Sequence, residues 1–272
     1  MMLDLTASSV DLTRAICDIP SVSGDEKTLA DAIEEAISVY SHLEVIRHGN
    51  TIVARTNLGR AQRVAIAGHI DTVPINGNVP TKDLEIDGVA HLWGRGTVDM
   101  KSGTAVQLKL AAELTEPTVD ITWMWYDNEE VEASKNGLAL LAAVRPDLFR
   151  ADFAILGEPS SGEVEGGCNG TMRAIVRTTG VRAHAARAWI GENAIHRAAP
   201  ILARLAEYRA KEIAVDGLLY RESMSAVRIT GGVAGNVIPD ACEVEVNYRF
   251  APSKSAAVSY THLRAHETLR YL

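Results

Sequence analysis

Four short stretches of this sequence carry the residue types of a metal-dependent hydrolysis site. Asp99 lies in WGRGTVDMKSG at 93–103, a glycine-lined turn directly ahead of an apolar helical run. A carboxylate in that position could bridge two metal ions. His69 and Asp71 lie in GHIDTVP at 68–74, Glu129 and Glu130 in DNEEVE at 127–132, and Glu158 in LGEPS at 156–160. One imidazole among several carboxylates suits zinc, cobalt or manganese, and the lack of cysteine ligands argues against a closed structural zinc site.

Taken singly, each stretch has an ordinary alternative. His-x-Asp is usually a surface hydrogen-bonded pair, adjacent glutamates are usually solvated, Glu158 before Pro159 suits a turn, and Asp99 could cap a helix. Placement decides between these readings. His69 ends an apolar run at 62–68 that reads as a buried parallel strand, Glu129 and Glu130 follow a strand at 119–126, and Glu158 follows a strand at 152–156. Open α/β sheets bind ligands beyond the carboxyl ends of their strands, so all four pieces are expected on one rim. His42, His48, His91 and His196 have no such company and read as surface or capping residues.

The elements that must position these groups can also be read. Residues 3–20 are apolar-periodic and closed by Pro20. Ser23-Gly24-Asp25-Glu26 has capping-box spacing before a helix whose buried stripe is Leu29, Ile33, Ile37 and Tyr40. Residues 43–56 alternate about a His48-Gly49-Asn50 turn, and helices are expected at 102–114 and 134–144. This half reads as α/β. After about Cys168 the pattern changes to a strand at 171–179, a helix at 194–213 and strands at 225–231 and 241–250. In the last of these Val244, Val246, Tyr248 and Phe250 share one face. That half reads as a smaller antiparallel α+β domain, with the boundary near 170–175. Pro200 requires a kink or a late helix start.

Composition narrows the function classes. The chain has 272 residues, 47% of them apolar and 23% charged, with 27 basic against 35 acidic residues and a net charge of −8. No basic field exists for nucleic acid or an anionic membrane surface. No apolar run approaches the roughly 18–20 residues of a membrane span, and residues 1–12 lack a signal-peptide pattern, so a cytoplasmic protein is expected. Cys17, Cys168 and Cys242 are widely spaced and odd in number, which suits reduced thiols.

Together, GHIDTVP, GRGTVDMKSG at 94–103, the Glu129-Glu130 pair and Gly157-Glu158-Pro159 resemble the co-catalytic metallohydrolases of the aminoacylase and acetylornithine deacetylase type. Within that family the sequence is most similar to succinyl-diaminopimelate desuccinylases of the actinobacterial type. The similarity runs through IPSVSGDE at 19–26, NGTMR at 169–173, AHAARAWIGENAIH at 183–196 and GGVAGNVIPD at 231–240, and covers nearly all of residues 3–258.

The resemblance implies a doubly wound, mostly parallel catalytic domain over 1–172 and an inserted, ferredoxin-like lid and dimerisation domain over 173–258. It implies two divalent metal ions, zinc or alternatively cobalt. Asp99 would bridge them, with His69 and Glu158 on one and Glu130 on the other. Asp71 would orient His69, Glu129 would act as general base, and the peptide after Asp99 would be cis. In the second domain His184 would reach a partner subunit's site to stabilise the oxyanion, and Asn236 and Arg249 would hold polar groups of an acylated amino acid. Arg249 also suits a carboxylate on chemistry alone, or simply the rim of an exposed strand.

The implied reaction is hydrolysis of N-succinyl-LL-2,6-diaminopimelate by a homodimer. Another N-acyl amino acid deacylase, a dipeptidase and a non-catalytic metal-binding homologue remain alternatives. The family's last histidine ligand to the second metal has no match here. Residues 259–272 read as a non-native tail whose His262 and His266 do not replace it, so weak binding of the second metal and low activity are expected of this polypeptide.

Overall fold

A computed structural model describes residues 3–255. The chain divides into two compact units between Glu163 and Val164, within an irregular stretch at 157–169. Helix α1 (Ser9–Cys17) is capped by the Ser8 hydroxyl, which accepts from the Asp11 N–H at 3.1 Å. Helix α2 (Lys27–Ile37) buries Leu29, Ala30, Ile33 and Ile37. Strands β1 (Glu44–His48) and β2 (Thr51–Arg55) form the expected hairpin about Gly49 at φ +61°. Strand β3 (Arg63–His69) follows.

Next comes a hairpin that the sequence reading missed, β4 (Lys82–Ile86) and β5 (Val89–Trp93), turning on Asp87-Gly88 with both residues at positive φ. Helix α3 (Lys101–Glu113), strand β6 (Asp120–Tyr126), helix α4 (Gly137–Val144) and strand β7 (Phe153–Leu156) complete the first unit.

The first unit's sheet runs β1-β2-β6-β3-β7. Strand β3 is parallel to both β6 and β7, while β2 joins β6 antiparallel and extends the sheet through β1. Strict alternation sends Ile52, Ala54, Ile121, Trp123 and Trp125 into one core with α1, α2 and α3. The intervening Val53, Met124 and Tyr126, with Ala67, face a second core that holds Leu141 of α4 and Leu148. Both faces of β2 and β6 are therefore covered, as the α/β reading requires, whereas the edge strand β7 is exposed along its length.

The second unit is a four-stranded antiparallel sheet, β10-β11-β13-β8, with one helix on its apolar face. Its strands are β8 (Gly170–Thr179), β10 (Lys211–Val215), β11 (Leu218–Gly231) and β13 (Ala241–Phe250), and a short ladder joins β9 (Ala183–His184) to β12 (Val237–Ile238). Helix α5 (Ala194–Ala206) packs Ala194 and Ala198 against Val244, Val246 and Tyr248. The helix stops short of residue 213, because Asp216-Gly217, again at positive φ, closes a β10–β11 hairpin that takes 211–215. Pro200 sits inside the helix, so the late start is not used. The proposed tail at 259–272, with His262 and His266, lies outside the described residues. Among those described, no helix is long and apolar enough to cross a membrane.

Candidate metal centre

The parallel register fixes the site. His69 stands opposite Tyr126, and Ala67 opposite Leu156, so the residues that leave β3, β6 and β7 emerge at one end of the sheet. His69 ends β3, Glu129 and Glu130 follow β6, and Glu158 follows β7. The Gly157 N–H donates to the Ala67 carbonyl at 2.9 Å, which holds the third of these segments to the first. Helix α3 brings Asp99 to the same rim, where the Thr104 hydroxyl donates to the His69 carbonyl at 3.1 Å.

Around the His69 Nε2 lie Asp99 Oδ1 at 3.1 Å and Glu158 Oε2 at 3.8 Å. Ligand atoms of His69, Asp99 and Glu158 fall within 4.8 Å of one another, and so do those of His69, Glu129 and Glu130. The imidazole is buried, whereas Asp99, Glu129 and Glu158 are exposed and Glu130 is half-buried. The three strand-end pieces and Asp99 thus come together as expected. The Asp99–Met100 peptide is cis.

Asp71 is fully buried behind the imidazole. Its carbonyl accepts from the His69 Nδ1 at 3.0 Å, and its Oδ1 lies 3.4 Å from the same nitrogen. The N–H groups of Glu129 and Glu130 donate to Asp71 Oδ1 and Oδ2 at 3.0 and 3.1 Å. Burial works against its ionisation. The hydrogen bonds from His69, Ser23, Glu129 and Glu130 outweigh it and hold the carboxyl below its usual range.

The donor set fits a divalent cation on electrostatic grounds. With Nδ1 committed as donor, Nε2 points its lone pair at a carboxylate oxygen 3.1 Å away, and that arrangement needs a proton or a cation between them. Burial disfavours an imidazolium, yet Asp71, Glu158 and Asp99 together raise the His69 pKa to about 9. Glu158 and Glu130 are pushed up by burial and by neighbouring carboxylates, Asp99 among them. A cluster of mutually repelling carboxylates about one imidazole is relieved by positive charge, which divalent metal ions supply.

Several supporting residues escaped the sequence reading. Met100 is fully buried, and its sulfur accepts the His69 N–H at 3.2 Å. Its methyl group is ringed by Gly68, Gly103 and Gly157, at each of which a Cβ would lie 3.0 Å or less from it. Lys101, also buried, donates to the Ile16 and Ile19 carbonyls at 3.2 and 2.9 Å, and burial brings its pKa down to about 8. These contacts join segments remote in sequence, and only the glycines of GHIDTVP and MKSG hinted at close approach.

Ser23 was expected to cap α2. Instead its hydroxyl donates to Asp71 Oδ2 at 2.7 Å, and the N-cap position falls to Glu26 with no side-chain bond to the helix.

The three second-unit residues are exposed. The β9–β12 ladder sets His184 opposite Val237, and the Asn236 carbonyl accepts the Ala185 N–H at 2.8 Å, so the two candidates are local neighbours. The His184 Nδ1 accepts from the Ala186 N–H at 3.1 Å, which leaves Nε2 outward. Arg249 lies on the open face of β13 between Ser223 and Thr171.

Comparison with known proteins agrees with this geometry. A family profile described as a peptidase dimerisation domain matches residues 167–263, and one described as peptidase family M28 matches residues 50–147. A Mycobacterium tuberculosis protein bearing the succinyl-diaminopimelate desuccinylase name is 52% identical over 263 residues, covering 96% of this chain and 73% of its own length. The succinyl-diaminopimelate desuccinylase of Corynebacterium glutamicum is 46% identical over 96% of this chain and 71% of its own.

The fold is shared with a tripeptidase from Staphylococcus aureus, at a TM-score of 0.68 and 21% identity, over 98% of this chain and 71% of that one. It is shared also with a dinuclear metal-binding peptidase of the M20 family from Bacillus subtilis, at a TM-score of 0.58 and 17% identity, over 97% and 69%. With relatives this similar along almost all of its length, the chain belongs to the M20 family of metallohydrolases, among its succinyl-diaminopimelate desuccinylases.

Proposed function

We propose that the chain hydrolyses the amide bond of N-succinyl-LL-2,6-diaminopimelate, giving succinate and LL-2,6-diaminopimelate, as a cytoplasmic homodimer that uses two zinc ions. The observation that carries this reading is that ligand atoms of His69, Asp99 and Glu158 lie within 4.8 Å of one another, and so do those of His69, Glu129 and Glu130, so that two acidic groups share one imidazole. In this assignment His69, Asp99 and Glu158 would hold one ion, and Asp99 and Glu130 would hold the other. Divalent metals bound there acidify water and polarise an acyl carbonyl.

The protein's own groups do the rest. Glu129, exposed at the rim, takes the proton of the attacking water and delivers it to the departing amine nitrogen as the C–N bond breaks. Asp71 touches no substrate in this scheme. It holds the His69 ring and the 129–130 backbone together, so that imidazole and base keep their spacing. His184, Asn236 and Arg249 are assigned to the substrate, Arg249 to a carboxylate through its planar fork.

The test is Glu129→Gln, assayed on succinylated diaminopimelate and on N-acetylornithine in parallel. The expected result is a fall in kcat of about 10²–10⁴-fold with metal content unchanged. Full turnover by the variant would overturn the role of Glu129, and preferential cleavage of the acetylated substrate would transfer the chain to a sister activity.

A further inference from the structure

The motif SGDE at 23–26 has no part in the mechanism above, and the helix cap that its spacing promised is not made. The structure shows another use for it. After Pro20 the backbone runs alongside the segment that leaves β3. The Thr72 N–H donates to the Ser21 carbonyl at 2.9 Å, the Ser23 N–H to the Thr72 carbonyl at 3.1 Å, and Val22 bridges Thr72 in parallel. The buried Ser21 hydroxyl donates to the Ile70 carbonyl at 2.6 Å. Gly24, at φ +93°, then turns the chain, a conformation that favours glycine. Its N–H donates to Glu26 Oε1 at 2.7 Å, and Glu26 itself is fully buried. The loop is therefore anchored on both sides of Ser23.

That anchoring points one hydroxyl at one carboxylate. Ser23 Oγ donates to Asp71 Oδ2 at 2.7 Å, the shortest hydrogen bond that Asp71 accepts among the described residues. Asp71 is tied to the imidazole of His69 and to the N–H groups of Glu129 and Glu130. The Ser23 hydroxyl and the Glu129 and Glu130 N–H groups, all within 3.1 Å, fix the plane of its carboxylate with the imidazole Nδ1 at 3.4 Å, and Ser23 is the side-chain donor that comes from outside the β3 and β6 segments. Without it, Oδ2 keeps the Glu130 N–H alone, and the carboxylate gains freedom to rotate about its last torsion. The imidazole and the 129–130 backbone would move with it.

We infer that Ser23 is a positioning residue of the metal centre, which acts through Asp71 to set the spacing between the His69 imidazole and the Glu129-Glu130 carboxylates. The inference rests on the metal-centre reading and deepens it. It does not depend on which acyl group is cleaved.

The test compares Ser23→Ala, Ser23→Thr and Asp71→Asn, together with the Ser23→Ala/Asp71→Asn double variant. Cobalt(II) affinity and the visible cobalt spectrum are read without substrate, and kcat and KM separately with it. Outer partners of metal ligands are worth about 10–100-fold, and Ser23 stands one bond further out, so Ser23→Ala is expected to weaken cobalt binding about tenfold. It should also shift the cobalt spectrum and lower kcat with KM unchanged, and Ser23→Thr, which keeps the hydroxyl, should restore all three. In the Asp71→Asn background, Ser23→Ala should add less than twofold, because its route of action is already cut.

Unchanged cobalt affinity and spectrum in Ser23→Ala would overturn the inference. So would losses that multiply in full in the double variant, or a Ser23→Thr variant as impaired as Ser23→Ala. If the chain binds cobalt but cleaves no succinylated substrate, the proposed reaction fails while the cobalt readouts still decide the role of Ser23.

Discussion

Gly103→Ala separates local helix preference from the packing that forms the metal centre, because the two predict opposite signs. Gly103 is the third residue of α3, where alanine in place of glycine ordinarily stabilises a helix by about 0.5–1 kcal/mol. Here the new Cβ would stand 2.5 Å from the Gly157 carbonyl oxygen and 3.0 Å from the Met100 methyl. The first obstacle is backbone, so α3 and the 157–158 segment must part by nearly 1 Å to reach ordinary contact. Overpacking of this kind costs about 1–3 kcal/mol.

Set against the helix gain, a net loss of about 1–2 kcal/mol follows, which for a unit of this size lowers the melting point by roughly 2–8 °C. The shift should appear in the near-ultraviolet signal of the buried Trp123 and Trp125. Metal affinity should fall as well, because the residue after Gly157 is Glu158. Gly235, whose Cβ would meet open space, is the control, and Gly235→Ala should change stability by less than about 0.5 kcal/mol. A Gly103→Ala protein that melts higher than the parent would refute the close approach of α3 to β7 and, with it, this account of how Glu158 is placed.

Two further outcomes can be checked. Chelation should lower the melting point of the first unit and leave the second unchanged, since among the described residues the clustered carboxylates lie in the first alone; a metal at 100 times its Kd contributes about 2.7 kcal/mol. An equal shift in both transitions would count against the site. In the second unit, burial opposes the charge on Glu222, but Lys254 at 2.6 Å and the Ala251 N–H at 3.0 Å prevail and depress its pKa. Its contribution to stability is therefore present above the unfolded value of about 4.3 and lost as pH falls through the lower folded value. Glu222→Gln should weaken the second unit at neutral pH and flatten its loss of stability in acid, as read from urea midpoints at successive pH values. An acid limb as steep as the parent's would refute the assignment.

The rim was legible because strand position is a local property that parallel pairing turns into proximity. His69, Glu129 with Glu130, and Glu158 each follow an apolar run, and three parallel strands in register bring three such ends together without further information. The bridging role proposed for Asp99 rests on the family resemblance, since a carboxylate before a helix is ambiguous alone. Both missed hairpins, at Asp87-Gly88 and Asp216-Gly217, carried a signal that was available, an Asp-Gly pair between strand-like runs. In the second case the helix was read through to residue 213, although a turn was already encoded three residues later.

The capping-box error has a different origin. Serine three residues before glutamate satisfies a cap by sequence spacing, but a hydroxyl takes whichever acceptor the fold presents. The hydroxyl proton goes to the buried Asp71 carboxylate, and α2 begins only at Lys27 with Glu26 at its N-cap, so Ser23 stands outside the first turn. Asp71 is 48 residues away from Ser23 in sequence and lies 2.7 Å from it in space. The same holds for Met100 and its glycines: the residue types allow the contact, while the partner is chosen by tertiary structure. Local spacing therefore located the groups that would hold metal, and it was silent on the groups that hold them still.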